Sequence, residues 1–478
     1  MGQPRERTQV QRAAQTQHRQ RPVGRLAIRA RLLQRVGFDR SDSPTRRGQC
    51  ANLALRHYRF HRWRRGRTLY PNANWWDTGA EDQFTQANVY ASYSRLNLFS
   101  NFTYFLDDPV NGDQFEQTDE RAVAGANASR EWLAHWFGRD NVVTVGTQLR
   151  RDQIFQVGLF RTGDQKRLDT VRDDEVTQTS LGVYVDAETR WNDAFRTVAG
   201  LRGDVYHFDV DSSLDANSGD GTDAIASPKL NFILGPWSDT EYYLNLGYGY
   251  HSNDARGTTI QVDPASGLAV DPVDPLVRSK GAEVGARTTA IENLNSTLSL
   301  WYLELDSVLL FVGDAGATEA SRPSERYGVE WANFYRVTEW LTLDLDLAFT
   351  EAQFSDDSPD DDEIPGAIDR VLTAGAAINF PNGVFGALRL RHFGPRPLIE
   401  DGSVESDSTS LVNIKAGYRF TDRFAVELDV LNVLDSQDDD ISYFYASRLP
   451  GEPAAGVEDI HFHPVEPLTA RVYASWLF

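Results

Sequence analysis

The sequence predicts an all-β protein, a transmembrane antiparallel β-barrel, on three observations. Period-two alternation dominates from about residue 68 onward. The alternating segments are long, and their second face carries ionised side chains in mid-segment. Short and long polar connections follow one another along the chain.

The segments take strand geometry because successive side chains of a strand point to opposite faces. Leu341–Phe349 is the clearest. Leu341, Leu343, Leu345, Leu347 and Phe349 share one face, and Thr342, Asp344, Asp346 and Ala348 share the other. Leu181, Val183, Val185, Ala187 and Trp191 oppose Gly182, Tyr184, Asp186, Glu188 and Arg190. Tyr242, Leu244, Leu246, Tyr248 and Tyr250 alternate with Tyr243, Asn245, Gly247 and Gly249. Val412–Phe420 and Phe424–Val430 repeat the pattern. Globular strands average about 5–6 residues, whereas about 9–11 tilted residues cross a bilayer. Roughly 17 or 18 such segments are expected, with the apolar face toward lipid and the charged face toward a wet lumen.

Thr421–Arg423 and Gly235–Asp239 read as tight turns; Asp211–Asp223, Ser355–Pro365 and Asp435–Pro464 read as long polar loops. Short turns on one side and long loops on the other is the outer-membrane arrangement. The longest apolar run, Val308–Val312, falls far short of the roughly 20 residues of a membrane-spanning helix. The chain ends on alternating Ala470, Val472, Ala474, Trp476 and Phe478, which suits a closing strand with an aromatic end; by resemblance alone, this ending is similar to the assembly signal of outer-membrane barrels.

The net charge of −21 hides a break: residues 1–67 hold 18 Arg, no Lys and 3 acidic residues, whereas the remainder holds 30 basic and 66 acidic ones. Residues 1–67 are therefore expected to be a disordered or out-of-frame basic segment, and residues 68–478 the barrel. A basic nucleic-acid-binding arm is the usual meaning of such asymmetry; the Arg bias, 44 Arg against 4 Lys over the chain, favours the out-of-frame reading, and no nucleic-acid partner is expected. Cys50 is the single cysteine, so the barrel region has neither disulfides nor cysteine-based zinc sites. Residues 1–25 show no apolar core of a signal peptide.

Several stretches carry a resemblance: LNLFSNFTYFLDDPVNGDQFEQTD (Leu96–Asp119), SPKLNFILGPW (Ser227–Trp237), VRSKGAEVGAR (Val277–Arg287), FVGDAGATEASRPSERYGVEW (Phe311–Trp331) and LDVLNVLDS (Leu428–Ser436). With the ending at Phe478, these resemble the TonB-dependent receptors of Gram-negative outer membranes, from about Trp75 to the terminus. The resemblance implies a barrel of about 22 strands plugged by an N-terminal domain, and energised uptake through a TonB box. Neither a plug nor a TonB box is visible, so the barrel is expected to be incomplete relative to that pattern. TonB would then be a partner only of a full-length form.

Candidate chemistry is sparse. His461 and His463, two apart and near Glu458, Asp459 and Glu466, could touch a metal or metal chelate, as could His251 at the end of its strand. A satisfied loop motif is the plainer reading, and no resident metal or cofactor is expected. The acidic runs Asp356–Glu363 and Asp438–Asp440 lack the spacing of an EF-hand; they read as solvated loops or as divalent bridges to lipopolysaccharide. Asp344, Asp346, Arg389, Arg391 and Glu427 are expected to face the lumen, lining a path or pairing across the wall. No nucleophile elbow, zincin motif, Walker loop or dinucleotide fingerprint occurs, so no catalytic residues are expected. The expected function is outer-membrane uptake of a small ligand such as a siderophore or metal complex. The partners are membrane lipid, lipopolysaccharide and the barrel-assembly machinery. The alternatives are a passive porin-like channel and a soluble acidic β-rich binding protein.

Overall fold

A computed structural model describes residues 25–38, 63–80, 83–136, 138–307, 309–312, 317–320, 322–356 and 361–477. The strands are, in chain order, β1 (Arg25–Phe38), β2 (Trp63–Ala80), β3 (Gln83–Ser100), β4 (Phe115–Trp136), β5 (Arg139–Gly163), β6 (Lys166–Asn192), β7 (Phe195–Ser212) and β8 (Gly219–Trp237). Next come β9 (Thr240–Ser252), β10 (Leu276–Thr288), β11 (Leu294–Leu305), β12 (Leu309–Val312), β13 (Ala317–Ala320), β14 (Ser324–Arg336) and β15 (Leu341–Phe354). The chain finishes with β16 (Arg370–Asn379), β17 (Val384–Phe393), β18 (Thr409–Thr421), β19 (Phe424–Leu431), β20 (Asp439–Ser447), β21 (Val457–Pro464) and β22 (Thr469–Trp476). One short helix, α1 (Ala255–Thr258), follows β9.

Eighteen strands form one sheet, and β12–β13 and β20–β21 are separate hairpins within loops. In the sheet each strand pairs antiparallel with the next, β11 with β14 and β19 with β22 across the hairpins. Among the described residues no ladder joins β1 to β22. Within the basic segment, residues 1–24 and 39–62 lie outside the described residues, while Arg25–Phe38 supplies β1 and β2 runs through the expected boundary at residue 67.

Alternation decides the two faces. Leu181, Val183 and Val185 are exposed, as are Leu201, Val205, Tyr242, Leu244, Leu246, Val284, Leu298, Leu300, Leu343 and Phe349. A soluble protein rarely exposes so large a continuous apolar surface; a lipid-facing wall must. The opposite phase holds the polar and buried residues, among them Asp152, Asp174 and Asp204.

Glycine lets large rings lie flat on that inner wall. Tyr90 covers Gly125, Tyr184 covers Gly146, Tyr243 covers Gly285 and Phe385 covers Gly417, each ring over its own cross-strand partner. Such pairs shield backbone that a glycine leaves bare.

The connections segregate. The turns between β2 and β3, β4 and β5, β6 and β7, β8 and β9, and β18 and β19 leave two residues each, all at one rim. The long loops sit at the other, where β5 and β6, of 25 and 27 residues, rise well beyond the 9–11 needed to span. Aromatics gather on the outer face at the short-turn rim. Trp340 stacks on Phe380 at 4.9 Å, and Tyr418, Phe420, Phe424 and Trp476 follow one another with centroids 4.8–5.5 Å apart. Rings at that level match an interfacial girdle.

Three details differ from the sequence expectation. Asp211–Asp223 is mostly strand, since β7 continues to Ser212 and β8 begins at Gly219. Asp435–Pro464 contains the β20–β21 hairpin. Tyr250, expected to face lipid, packs instead against a buried apolar cluster, because the β8–β9 ladder stops at Lys229–Gly247 and leaves the end of β9 free of its neighbour.

Candidate functional site in the lumen and at the long-loop rim

The inner wall of β4–β7 carries one motif four times: an aspartate and an arginine two residues apart on one strand, facing the same way and bonded to each other. Arg121 Nε donates to Asp119 at 2.8 Å. Arg150 grips Asp152 at 2.7 Å through both Nε and an Nη. Arg172 Nε donates to Asp174 at 2.8 Å, and Arg202 holds Asp204 at 2.7 and 2.6 Å. Two-point contacts of this kind are the strong form of the ion pair. The aspartates of β5, β6 and β7 are nearly inaccessible, with side chains 3%, 0% and 3% exposed, so an unpaired carboxylate there would carry a heavy desolvation cost. Gln178 ties the rows together, accepting from the Tyr206 hydroxyl at 2.5 Å and donating to Asp152 at 3.2 Å.

A fifth pair comes from outside the wall. In the β9–β10 loop, Asp254 caps α1 by accepting from the Arg256 backbone N–H at 2.9 Å, and the Arg256 guanidinium bonds its carboxylate at 3.0 and 2.7 Å. Burial works against the charge of Asp254, but the Arg256 guanidinium, with Arg172 behind it, outweighs that and holds the carboxyl down to about 2. Beside it Ala255 sits in an apolar cluster with Ile154, Val176, Tyr206, Phe208 and Val210 of the wall and Leu276 of β10.

Further round the sheet the expected lumen charges do share one face. The register sets Asp344, Gly375 and Arg389 in one row, and Asp346, Thr373 and Arg391 in the next. Arg389 pairs with Asp344; Thr373 donates to Asp346 at 3.1 Å; Lys415 lies 3.3 Å from Glu427 and 3.4 Å from Asp429. On the other side Asn88 Nδ2 donates to Asn74 Oδ1 at 2.8 Å, and Asn74 Nδ2 to Asn72 Oδ1 at 2.6 Å. Outside the apolar cluster around Ala255, the charged groups of the inner surface are thus largely paired.

At the long-loop rim the β3–β4 loop meets the β19–β22 loop. Phe105 N donates to Arg448 O at 3.1 Å and Arg448 N to Thr103 O at 3.0 Å. His461 and His463 lie on β21 opposite Tyr443 and Ile441. His461 is buried, stacked on Tyr445 at 3.9 Å with Tyr104 6.2 Å away. His251 ends β9 opposite Val277, on an element that shares no ladder with β21, and its Nε2 is buried without a hydrogen-bond partner among the described residues. Among the described residues no group of three or more histidine, cysteine or carboxylate side chains is placed to hold a metal. Ala470, Val472, Ala474 and Trp476 form an outer row of β22 beside Val430, Leu428, Val426 and Phe424; Phe478 lies outside the described residues.

Asn432 explains the LDVLNVLDS stretch. It is 2% exposed, takes a positive φ of 48°, donates to Ser436 O at 2.9 Å and Glu466 O at 3.1 Å, and accepts from Ser436 N at 2.9 Å. One amide therefore joins the end of β19 to the approach to β22.

The family model described as TonB dependent receptor-like, beta-barrel matches residues 13–433. The chain belongs to the TonB-dependent receptor family. Solved structures of TonB-dependent receptors share its architecture. The ferric yersiniabactin uptake receptor FyuA from Yersinia pestis superposes with a TM-score of 0.66 at 14% identity, over 87% of this chain and 62% of its own. The ferric-catecholate import receptor Fiu from E. coli K12 gives 0.64 at 13%, over 87% and 65%. The ferric citrate transporter FecA gives 0.71 at 12%, over 95% and 68%. At such identities the likeness is one of fold. The chain spans less than two thirds of the length of FyuA and Fiu. No curated protein matches it closely.

The sequence reading missed the Asp–Arg rows. Their signal was present as D-E-R at Asp119–Arg121, R-R-D at Arg150–Asp152, R-D-D at Arg172–Asp174, R-G-D at Arg202–Asp204 and D-A-R at Asp254–Arg256. In a strand, i and i+2 share a face, so each of the first four triplets is a same-face pair, whereas Asp254–Arg256 pairs across the start of α1.

Proposed function

We propose that this chain forms the barrel of an outer-membrane uptake receptor for a small metal complex such as a ferric siderophore, energised through TonB in its full-length form. The observation that carries the reading is the division of one sheet into an apolar outer wall and a charged, mutually paired inner wall with its long loops at a single rim. Family membership supports the coarse activity, and the ferric complexes named for FyuA, Fiu and FecA motivate the choice of ligand class. His251, His461 and His463 are ligand candidates at the long-loop end, His251 the foremost because its buried Nε2 has no partner among the described residues. The outer row ending at Trp476 serves as the assembly signal, and lipopolysaccharide surrounds the tall β5–β6 wall.

A passive channel is the second reading, favoured by the solvent exposure of Asp346 and Arg391 on the inner wall. The two separate in an Escherichia coli host lacking its own iron receptors. Uptake of ferric siderophores from a panel should be saturable and abolished when TonB is removed. Non-saturable entry that persists without TonB sinks the receptor reading and leaves the channel.

A further inference from the structure

The β9–β10 loop, residues 253–275, does not stand away from the barrel mouth. Ala255 and Gly257 of α1 are buried, and Ala255 touches the inner-face cluster of β5–β7. The chain leaves β9, passes β8, and packs α1 against β7 and β6 before returning to β10. At about 4.8 Å per strand that is a reach of roughly 15 Å along the wall.

It is also held at several points. Asn253 donates from its backbone to Pro275 O at 2.9 Å and from its side chain to Asp274 O at 2.8 Å, which closes the base. Val273 N donates to Gly257 O at 3.0 Å, lashing the return to the helix. Asn217, 1% exposed in the β7–β8 loop, accepts from Gln261 N at 2.9 Å and Val262 N at 3.0 Å and donates to Val262 O at 2.8 Å. Beyond this clamp a bridge between Val262 and Ala269 makes a small hairpin whose Leu268 is 68% exposed.

We propose that residues 253–275 are a built-in constriction, a fixed strap on the inner wall that narrows the passage at its long-loop end. An apolar anchor and an asparagine clamp hold the loop on the inner wall, and the Asp254–Arg256 pair fixes the shape of its helical turn, so solutes moving along this wall meet its tip. The inference rests on the barrel fold and not on energised uptake.

The test uses the whole chain with Cys50→Ser as background, refolded into planar bilayers, with heat-modifiable gel migration as the check on folding. Ala255→Cys should resist a maleimide that rapidly labels Val110→Cys, an 84% exposed site in the β3–β4 loop. A bulky maleimide on Leu268→Cys should lower single-channel conductance by about two-fold, and on Val110→Cys should leave it unchanged. Replacing residues 260–272 by a short Gly-Ser linker should raise conductance by about two-fold or more. Rapid labelling of Ala255→Cys would overturn the proposal. So would conductance indifferent to both the label on Leu268→Cys and the shortened loop, or a folded barrel that conducts in no variant.

Discussion

Arg389 pairs with Asp344 across an intervening strand, and the residue between them in the register is Gly375. A Cβ on Gly375 would lie 2.5 Å from Asp344 Oδ1 and 2.9 Å from Arg389 Cζ, so the glycine is the gap through which the pair forms. Gly375→Val should push the two apart without breaking the ladder. The side chains are 52% and 20% exposed, so the loss should be small, about 1 kcal/mol or less. Urea unfolding in lipid vesicles followed by tryptophan emission measures it; a loss as large as in the next case would show that the strand itself had been disturbed.

Gly285 is the contrasting case. A Cβ there meets Leu298 O, a backbone atom, at 2.6 Å as well as the Tyr243 ring. Backbone cannot step aside as an arginine tip can. Gly285→Val should cost about 1–3 kcal/mol in the same assay, and Tyr243→Ala combined with it should recover only part of the loss.

Leu300 lies mid-strand on the outer face, level with Val284 and Val329. Leu300→Arg should destabilise the inserted barrel by about 2–4 kcal/mol, the cost of a cation near the bilayer midplane. A neutral result would remove the lipid-facing assignment of this wall.

Asn432 carries both a hydrogen-bond triangle and a left-handed backbone. Asn432→Ala loses both, and Asn432→Gly keeps the backbone freedom. The alanine variant should lose about 2–3 kcal/mol and the glycine variant less, read as the fraction of chain reaching the heat-modifiable form. Equal losses would place the whole effect in the hydrogen bonds.

Asp254 gives a pH dependence with a definite sign. Its carboxyl is lowered from 3.8 to about 2 in the folded protein, against the opposing effect of burial. The charge of Asp254 therefore favours docking fully above the unfolded value, and the contribution is lost as pH falls from 3.8 through about 2. Hydrogen exchange of residues 253–259, corrected for the intrinsic rate, should show constant protection at neutral and mildly acidic pH and a fall only in that window. Asp254→Asn should show weaker protection that no longer depends on pH there.

The strands were legible wherever a wall must satisfy lipid on one side and water on the other, because that demand writes itself as alternation. Leu341–Phe349 shows it with Asp344 and Asp346 standing opposite leucines. Legibility fails where the sheet leaves the membrane. The upper parts of β5 and β6 have no lipid to face and include register shifts, such as that between Ile154 and Val157, which break the period. It fails also in β20–β21, where ISYFYAS is as aromatic as a spanning strand but pairs only within its own hairpin. The lumen charges could be assigned to a face from period alone. Their partners could not, since Arg389 finds Asp344 two strands away through a glycine that carries no charge signal. The reach of the β9–β10 loop was hidden for a related reason: the small residues of Ala255–Thr258 reveal what they pack against only once the wall is built.

The bridge between Tyr104 and Arg448 joins positions 344 residues apart, in a sheet whose other ladders link strands consecutive along the main meander. Hairpin-by-hairpin growth closes only short loops, which keeps each step entropically cheap. A contact across the whole chain is of another kind, worth about 5 kcal/mol of closure entropy if formed from an open coil. It becomes affordable only after the meander has already curled its two ends together. The aromatic cluster of Tyr104 tilted against the stacked His461 and Tyr445 would then act as a buckle fastened last, and its protection from solvent would report that the ribbon has come full circle.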